Sequence, residues 1–396
     1  MNKYVPLGEL IKTVSVTHKF DKPELIFLNT SDVLEGKILI DSYMPVNQMK
    51  GQAKKTIKNG DILYSEIRPR NRRYAYVNGL KNPEDYVVST KLMVLRKTNE
   101  KLNNDYLYHF LTNNQTINYL QGRAENRICS FPQITFDIVK SLNIWLPELL
   151  MQSKIAKVLS DLDKKIELNN KINTELEAMT KLIYNYWFVQ FDFPDANGNP
   201  YKSSGGKMVF NEELKRKVPE DWEIKELSNI SDITTGKLDS NAEVIGGEYP
   251  FYTCAKDPST INSYKYDGDV ILIAGNNAAG NFHVNRYSGK FDAYQRTYII
   301  TAKERKHLNY LYQVLSRQMK IYKNRGKGSQ TKFLTIGMLT EIQVFQPNTN
   351  VMSDYHKLTI PLYEKQMNII HENKKLESLR DWLLPMLMNG QVTVKD

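Results

Sequence analysis

Basic side chains are concentrated in two stretches of this 396-residue chain. Residues 50–73 hold eight lysines and arginines against two acidic residues, a net charge of +6, and residues 303–332 hold nine against one, a net charge of +8. The whole chain carries only +10, so the remainder is slightly acidic. Two such clusters are typical of a protein that touches a polyanion twice, although solvated surface charge is the alternative for any single lysine.

Arginine, asparagine and glutamine also recur in short loops, where they could contact nucleic-acid bases. Arg and Lys suit guanine edges and phosphates, Asn and Gln can pair with adenine, and glycines let backbone amides approach phosphate oxygens. One such loop alone is usually an ordinary surface loop, but their recurrence in both halves of the chain favours binding. Some of these side chains should contact phosphates and others bases. The candidates are Lys54, Lys55, Arg68, Arg70, Arg72, Arg73, Arg123, Asn126, Arg127, Asn276, Asn277, Arg286, Arg325, Lys327, Gln330 and Lys332.

Catalytic motifs are absent from the sequence or are explained by chance. Neither a G-x-G-x-x-G fingerprint nor a P-loop occurs. Asn199-Pro200-Tyr201 lacks the second proline of the amino-methyltransferase motif that it partly matches. Pro194-Asp195 and Glu213-Leu214-Lys215 would place a nuclease's carboxylates on a loop and a helix, whereas a shared metal needs adjacent rigid strands. The six histidines show no metal-ligand spacing, so we expect no catalytic centre and no metal site.

Bulk composition is that of an ordinary soluble protein, with 41% hydrophobic and 25% charged residues. No apolar run approaches the roughly 20 residues that a membrane-spanning helix needs, and the N-terminal sequence lacks an apolar signal-peptide core. The two cysteines, Cys129 and Cys254, are isolated and form no disulfide framework. These features predict a cytoplasmic protein, and the length predicts two or three domains.

A long amphipathic helix predicted over residues 149–188 is the element expected to position the loops. Its apolar residues recur in steps of three and four, which keeps one face in register with a partner helix. The C-terminal stretch repeats the pattern 200 residues later. Two asparagines fall in the seam, where they either fix register or face solvent beside a seam shifted by one residue. The expected seam residues are Leu162, Ile166, Asn173, Leu176 and Ile183, then Leu362, Ile369, Asn373, Leu376 and Leu383.

The 200-residue echo extends beyond the helices and predicts a two-fold internal repeat. A shared helical period is the alternative explanation for the two helices alone, but several separate matches keep the same order. The matching stretches are 134–147 with 334–347, 105–108 with 309–312, and Gly60-Asp61-Ile62-Leu63 with Gly268-Asp269-Val270-Ile271.

Each half of the chain alternates short apolar runs with turns and holds one further amphipathic helix, at 104–121 and 307–322. This pattern predicts an α/β (α+β) domain in each half. In the second long helix Pro361 is expected in the first turn, and Pro385 is expected at an end or kink. The predicted division is a first domain at 1–150, a central helix at 151–190, a linker at 191–218, a second domain at 219–350, and a C-terminal helix and tail at 351–396.

The chain resembles the specificity subunits of type I restriction-modification systems over nearly its whole length. The resemblance rests on the LP-x(4)-Q-x-KIA-x-VLS-x-LD-x-KIE-L pattern at 146–168 and on the YWFVQFDFPD…GNPYKSSGGKMV run from Tyr186. VPEDWEIKEL at 218–227 extends it. Gln366 and Arg380 in the second helix stand where the first has Ile166 and Thr180, so exact symmetry of the partner-binding surface is not expected.

The resemblance implies two target-recognition domains, each reading one half of a split sequence in double-stranded DNA. It also implies that the two long helices pair antiparallel as a coiled coil, set the spacing between half-sites and dock methyltransferase subunits, expected to be two. Restriction subunits would join through the complex. The chain itself would be non-catalytic and without cofactor, because S-adenosylmethionine, ATP and magnesium belong to the partner subunits.

Two alternatives stay open at this point. A stand-alone DNA-modifying or DNA-cleaving enzyme would be active as the purified chain with added cofactor. A coiled-coil scaffold whose basic patches bind RNA or an acidic protein would be distinguished by competition between duplex DNA and RNA.

Overall fold

The computed structural model describes residues 4–49, 51–126, 132–212, 214–277, 280–325 and 332–394. The chain forms two compact units, Met1–Asn170 with Ile370–Asp396, and Lys171–Ile369. Each unit holds a mixed α/β domain, as the sequence predicts, together with part of each of the two long helices. Within the described ranges, no helix is both long and apolar enough to cross a membrane.

The first unit contains two four-stranded sheets whose facing sides share a core. In chain order its elements are β1 Tyr4–Pro6, β2 Ile11–Thr13, β3 Glu24–Leu28, β4 Val33–Leu34, β5 Lys37–Ile38, β6 Met44–Pro45, β7 Ala53–Thr56, β8 Ile62–Ser65, β9 Tyr74–Tyr76, β10 Tyr86–Ser89, β11 Leu92–Lys97, α1 Asn104–Thr112, α2 Asn114–Glu125, α3 Phe136–Lys140, β12 Asn143–Trp145 and the start of α4 Leu149–Tyr184. The sheet orders are β6-β3-β10-β7 and β2-β11-β8-β9.

Alternation along β8 explains how this unit buries two cores. Leu63 faces the core between the sheets, whereas Ile62 and Tyr64 face the helices. Successive side chains of a strand point to opposite faces, so an apolar run such as this one belongs to a strand covered on both sides. The helix-facing core also takes Ile155 from α4 and Leu387 from the end of the last helix.

The second unit is built on one six-stranded sheet of order β16-β22-β19-β21-β17-β18. After a π-helical turn at Asn185–Val189, its elements are β13 Met208–Asn211, β14 Arg216–Pro219, β15 Glu223–Glu226, α5 Leu227–Ile230, β16 Ser231–Thr235, β17 Tyr249–Tyr252, β18 Ser259–Ile261, β19 Tyr266–Ala274, β20 Asn276–Asn277, β21 Val284–Ala293, β22 Thr297–Ala302, α6 Leu308–Arg325, β23 Lys332–Phe333, α7 Ile336–Thr340, β24 Gln343–Gln346 and most of α8 Thr349–Met388.

An aromatic cluster forms the centre of the second unit's core. The Phe188 ring lies 4.5 Å from that of Tyr310 and 4.9 Å from that of Tyr355, which comes from α8. The stretch that follows α4 adds Phe193, whose ring stacks 5.0 Å from that of Trp222. The long helices are therefore part of the core rather than appendages to it.

The internal repeat is visible in the strand pairing. In the first unit β8 and β11 pair with Ser65 opposite Leu92, and in the second β19 and β22 pair with Ala274 opposite Thr297. These pairings make Ile62 equivalent to Ile271. The sequence match of Gly60-Asp61 with Gly268-Asp269 therefore aligns the two strands one residue out of register. A shift of one residue exchanges the two faces of a strand, which the apolar character of both faces hid from the sequence.

Two helix predictions need correction. The helix expected over 104–121 is two helices, α1 and α2, because Asn113 is extended and its side chain accepts a hydrogen bond from the Thr116 N–H at 2.7 Å. In the second unit α6 is continuous. Helix α8 begins at Thr349, so Pro361 lies well inside it and not in its first turn, whereas Pro385 lies in the last turn before the helix ends near Gly390, whose φ of +70° suits a helix C-terminus.

The first unit's halves of α4 and α8 pair antiparallel through a polar layer. The Asn169 side chain donates to Asn373 Oδ1 at 2.8 Å, and the Asn373 amide donates to Asn170 Oδ1 at 2.8 Å. Asn373 is 7% exposed, so it lies in the seam and does not face solvent. An ion pair of 2.9 Å between Asp163 and Arg380 adds a second polar contact.

The other predicted seam positions are buried or half-buried. Ile166 and Ile369 are buried. Within the second unit, Gln366 donates to the backbone carbonyl of Asn173 at 3.3 Å, so Asn173 also lies at the helix pair. The half-buried positions are Leu162, Asn173, Leu176, Ile183, Leu362, Leu376 and Leu383.

Replacing Asn373 by alanine should destabilise the first unit by about 1–3 kcal/mol, because the buried Asn169 amide loses an acceptor and the exposed Asn170 loses a donor. Asn368→Ala on the exposed face of α8 is the matched control and should be neutral or slightly stabilising. Urea unfolding followed by circular dichroism measures both. Equal stabilities of the two variants would show that the polar layer does not hold the helices.

Candidate nucleic-acid interface

The first unit presents a loop of arginines that is anchored by backbone hydrogen bonds. We call site 1 the residues 66–73, the end of α2 and residues 132–134. The Arg68 N–H donates to Pro132 O at 3.0 Å, and the Ile134 N–H donates to Glu66 O at 2.8 Å. The Arg70 N–H donates to Gln121 Oε1 at 3.1 Å, which ties the loop to α2. Site 1 is therefore held on two sides.

A one-turn 3-10 helix, Pro69–Asn71, lies between two residues in the left-handed conformation. Arg68 has φ 45° and Arg72 has φ 52°. Residues other than glycine adopt the left-handed region at a cost in free energy, and such backbone strain persists only where the surrounding structure imposes it. The turn directs the Arg68 and Arg70 side chains into solvent, the latter 62% exposed.

The other two arginines of the loop are used to hold the fold. Arg72 donates to Asn114 Oδ1 at 2.5 Å, and Arg73 donates to the carbonyls of Ser31 at 2.9 Å and Val33 at 3.3 Å. The four arginines are alike in sequence, but the structure divides them into two pairs. Arg123 and Asn126 are exposed at the end of α2, beside Arg68 and Arg70, since Glu125 lies 3.9 Å from Arg70.

The two lysines of β7 differ in the same way. Lys54 is exposed. Lys55 donates to the carbonyls of Thr90 at 2.9 Å and Leu92 at 2.8 Å, and burial lowers the pKa of its amine. Arg127 lies outside the described residues.

The second unit repeats the anchoring geometry. We call site 2 residues 275–277, the turn Tyr294–Thr297 and β23. The Leu334 N–H donates to Gly275 O at 2.8 Å, which is the equivalent of the bond from Ile134 to Glu66. Asn276 pairs with Phe333, and its side chain is half-buried.

Arg286 was predicted to contact nucleic acid, but it lies in the interior of the second unit. Its side chain is 4% exposed, pairs with Asp269 at 3.1 Å, and lies 3.4 Å from the centroid of the Tyr363 ring. A side chain so enclosed cannot reach a ligand surface without unfolding its surroundings. The remaining candidates cannot be placed, because Lys327, Gln330 and the side chains of Asn277, Arg325 and Lys332 lie outside what the structure describes.

The turn Tyr294–Thr297 contributes residues that the sequence did not single out. The Gly275 N–H donates to Arg296 O at 2.8 Å, and both Gln295 and Arg296 are exposed. The turn lies outside the two basic stretches and lacks the Gly, Pro or Asn that marks most turns. In the sequence, the turn can be found only by aligning it with Thr90-Lys91 of the first unit. That alignment requires the one-residue correction to the register of the internal repeat.

In the described part of the chain, no group of three or more His, Cys, Asp or Glu side chains is arranged to hold a metal. The candidate interface, as far as the structure describes it, presents exposed arginine and amide side chains on loops held by backbone hydrogen bonds.

Comparison with known proteins identifies the family. The model of the type I restriction modification DNA specificity domain matches residues 6–178 and 219–369, one copy for each half of the chain. The chain therefore belongs to the type I restriction-modification specificity subunits, the non-catalytic component that gives these systems their DNA specificity.

Individual relatives match this chain over different lengths. The HindI specificity subunit of Haemophilus influenzae is 29% identical over 98% of this chain and 99% of its own length. The EcoDI specificity subunit of Escherichia coli is 35% identical over 45% of this chain and 40% of its own length. The solved S subunit from M. genitalium matches the fold with a TM-score of 0.58 at 18% identity, covering 98% of this chain and 96% of that one.

The division of the arginines predicts different stabilities for two neighbouring variants. Arg73→Ala should lower the free energy of unfolding by about 1–3 kcal/mol, because two carbonyls lose a charged donor. Arg70→Ala should change it by less than about 0.5 kcal/mol, because an exposed side chain with a 3.9 Å ion pair contributes little. Urea unfolding of the two variants decides this. A larger loss in Arg70→Ala than in Arg73→Ala would reverse the assignment.

Proposed function

We propose that each unit reads one half of a two-part target in double-stranded DNA, site 1 in the first unit and site 2 in the second. The observation that carries the proposal is the recurrence of one anchoring geometry, Ile134 to Glu66 and Leu334 to Gly275, beneath exposed polar side chains in both units. Membership of the family supports DNA as the ligand. Binding of RNA or an acidic protein has no comparable support.

In site 1, we propose that Arg68, Arg70, Arg123 and Asn126 contact DNA, and that Lys54 contributes a phosphate contact. They are exposed, and arginine is suited both to guanine edges and to phosphates. The loops are held by hydrogen bonds from the side chains of Arg72, Arg73 and Lys55 to other protein groups. In site 2 the proposal includes Asn276 together with Asn277, Arg325, Lys327, Gln330 and Lys332.

We propose that the long helices dock methyltransferase subunits, two in number, and that restriction subunits join through them in the cytoplasm. Exposed apolar side chains support such a surface, since large apolar groups in contact with water mark interaction sites. In the first unit Trp382 is 62% exposed on α8 and Leu168 is exposed on α4, and in the second unit Leu182 is exposed on α4. S-adenosylmethionine, ATP and magnesium would be bound by those partners.

The proposed function is tested by sequencing methylated adenines in cells that carry the system. Methylation should map to a two-part motif with a fixed gap of unspecified bases. Methylation at one continuous short motif would overturn the proposal.

Arg70→Ala should relax discrimination at one position of one half-site only. A base contact by arginine contributes about 1–3 kcal/mol, so discrimination there should fall about 5- to 150-fold. The other half-site and the gap are the internal controls within the same methylation map. A motif identical to that of the unmodified chain would exclude Arg70 from base reading.

The gap should follow the length of the helix pair. Both helices continue across the boundary between the units, so we propose inserting four residues after Lys171 together with four after Ile369. Four residues add about 6 Å of helix, equivalent to about two base pairs, and should lengthen the gap by one to two base pairs without altering either half-site. The single insertions are controls that break the register of the pair. An unchanged gap in the double insertion would show that the helices do not set it.

A further inference from the structure

The turn Tyr294–Thr297 of site 2 is held by backbone hydrogen bonds to three parts of the second unit and within itself. The Thr297 N–H closes it by donating to Tyr294 O at 2.8 Å, and the Gln295 N–H donates to Leu238 O at 2.8 Å. The Gly275 N–H binds the carbonyl of Arg296 at 2.8 Å. Backbone donors and acceptors on three sides fix the turn, so its two central side chains project from a rigid base.

Those two side chains, Gln295 and Arg296, are exposed. Among the residues with described side chains, no carboxylate lies within ion-pair distance of Arg296. The aromatic ring of Phe333, itself 56% exposed, lies with its centroid 5.8 Å from the Arg296 guanidinium carbon. That distance is within the range of a cation–π contact, which orients a guanidinium without neutralising it.

The equivalent turn of the first unit differs in the charged partner of its exposed cation. There the Glu66 N–H donates to Lys91 O at 3.0 Å, but the Glu66 carboxylate also lies 3.7 Å from the Lys91 amine. In the second unit glycine replaces the glutamate, and a Cβ at Gly275 would lie 2.3 Å from Arg296 O. The close approach of the two strands therefore requires glycine, and this leaves Arg296 without the counter-charge that Lys91 has.

We propose that the turn Tyr294–Thr297 is a base-reading element of the second unit, with Arg296 contacting a guanine and Phe333 orienting its guanidinium. The proposal rests on the proposed function and adds to it a specificity-determining residue outside the basic stretches. Arginine binds the O6 and N7 of guanine through two parallel hydrogen bonds, which demands a fixed guanidinium plane. Gln295 stands next to it in the turn and can pair with adenine in the same way.

The test uses the full chain with its methyltransferase partner in cells without other adenine methylation. Methylated motifs are compared for the unmodified chain, Arg296→Ala, Arg296→Lys and Phe333→Ala. We expect Arg296→Ala to lose preference for guanine at one position of one half-site by about 5- to 150-fold. Arg296→Lys should relax the same position because lysine keeps the charge but lacks the planar fork. Phe333→Ala should relax it to a smaller extent.

Lys265→Ala is the matched control, because Lys265 is an exposed cation of the same unit at the opposite end of β19. Its motif should equal that of the unmodified chain, and all variants should melt at similar temperatures and co-purify with the methyltransferase. A two-part motif that Arg296→Ala leaves intact would overturn this inference and leave the proposed function standing. Full rescue by Arg296→Lys would make Arg296 a phosphate contact and also overturn it. A continuous motif for the unmodified chain would overturn the proposed function itself.

Discussion

Both sites depend on a short backbone pairing that returns the chain to the end of a central strand. The Ile134 N–H binds Glu66 O in one unit, and the Leu334 N–H binds Gly275 O in the other. Backbone groups removed from water must find partners, so the loop ends close on each other before any side chain is displayed. The exposed side chains then project from backbone that is held on both sides, and this rigidity is what recognition of base edges requires.

Arginines of this chain take different roles according to the groups that surround them. Arg73 and Arg286 lie where protein carbonyls or a carboxylate surround them, because a buried charge without partners costs several kcal/mol. Arg68, Arg70 and Arg296 lie beyond the anchoring bonds, where water solvates them in the free protein. A DNA duplex would replace that water, so exposure rather than the number of cations separates candidate contacts from structural ones.

Sequence periodicity was sufficient to predict the two long helices and the existence of the repeat, because those features are regular along the chain. The seam of α4 and α8 and the apolar runs of β8 and β19 were predicted where the structure has them. The register of the repeat was predicted wrongly by one residue, because β8 and β19 are apolar on both faces and either alignment fits the sequence pattern. The burial of Arg286 was also missed, since its carboxylate partner Asp269 lies across a strand pair that the polar sequence of β21 does not reveal. Gln295 and Arg296 escaped for a similar reason, because their turn is fixed by distant backbone groups and not by turn-forming residues.

The comparison of Lys91 with Arg296 shows how one fold presents different side chains at equivalent places. The strand pairing and the anchoring bond recur in the two units, but Glu66 places a carboxylate 3.7 Å from the Lys91 amine, whereas Gly275 has no side chain to offer Arg296. None of the exposed side chains contributes much to the cores that hold the units together. Replacing them therefore changes the chemistry of the exposed surface at little cost in stability, whereas replacing Gly275 would disturb the backbone that holds Arg296. Specificity can thus vary at the exposed positions while the anchors beneath them are constrained by packing.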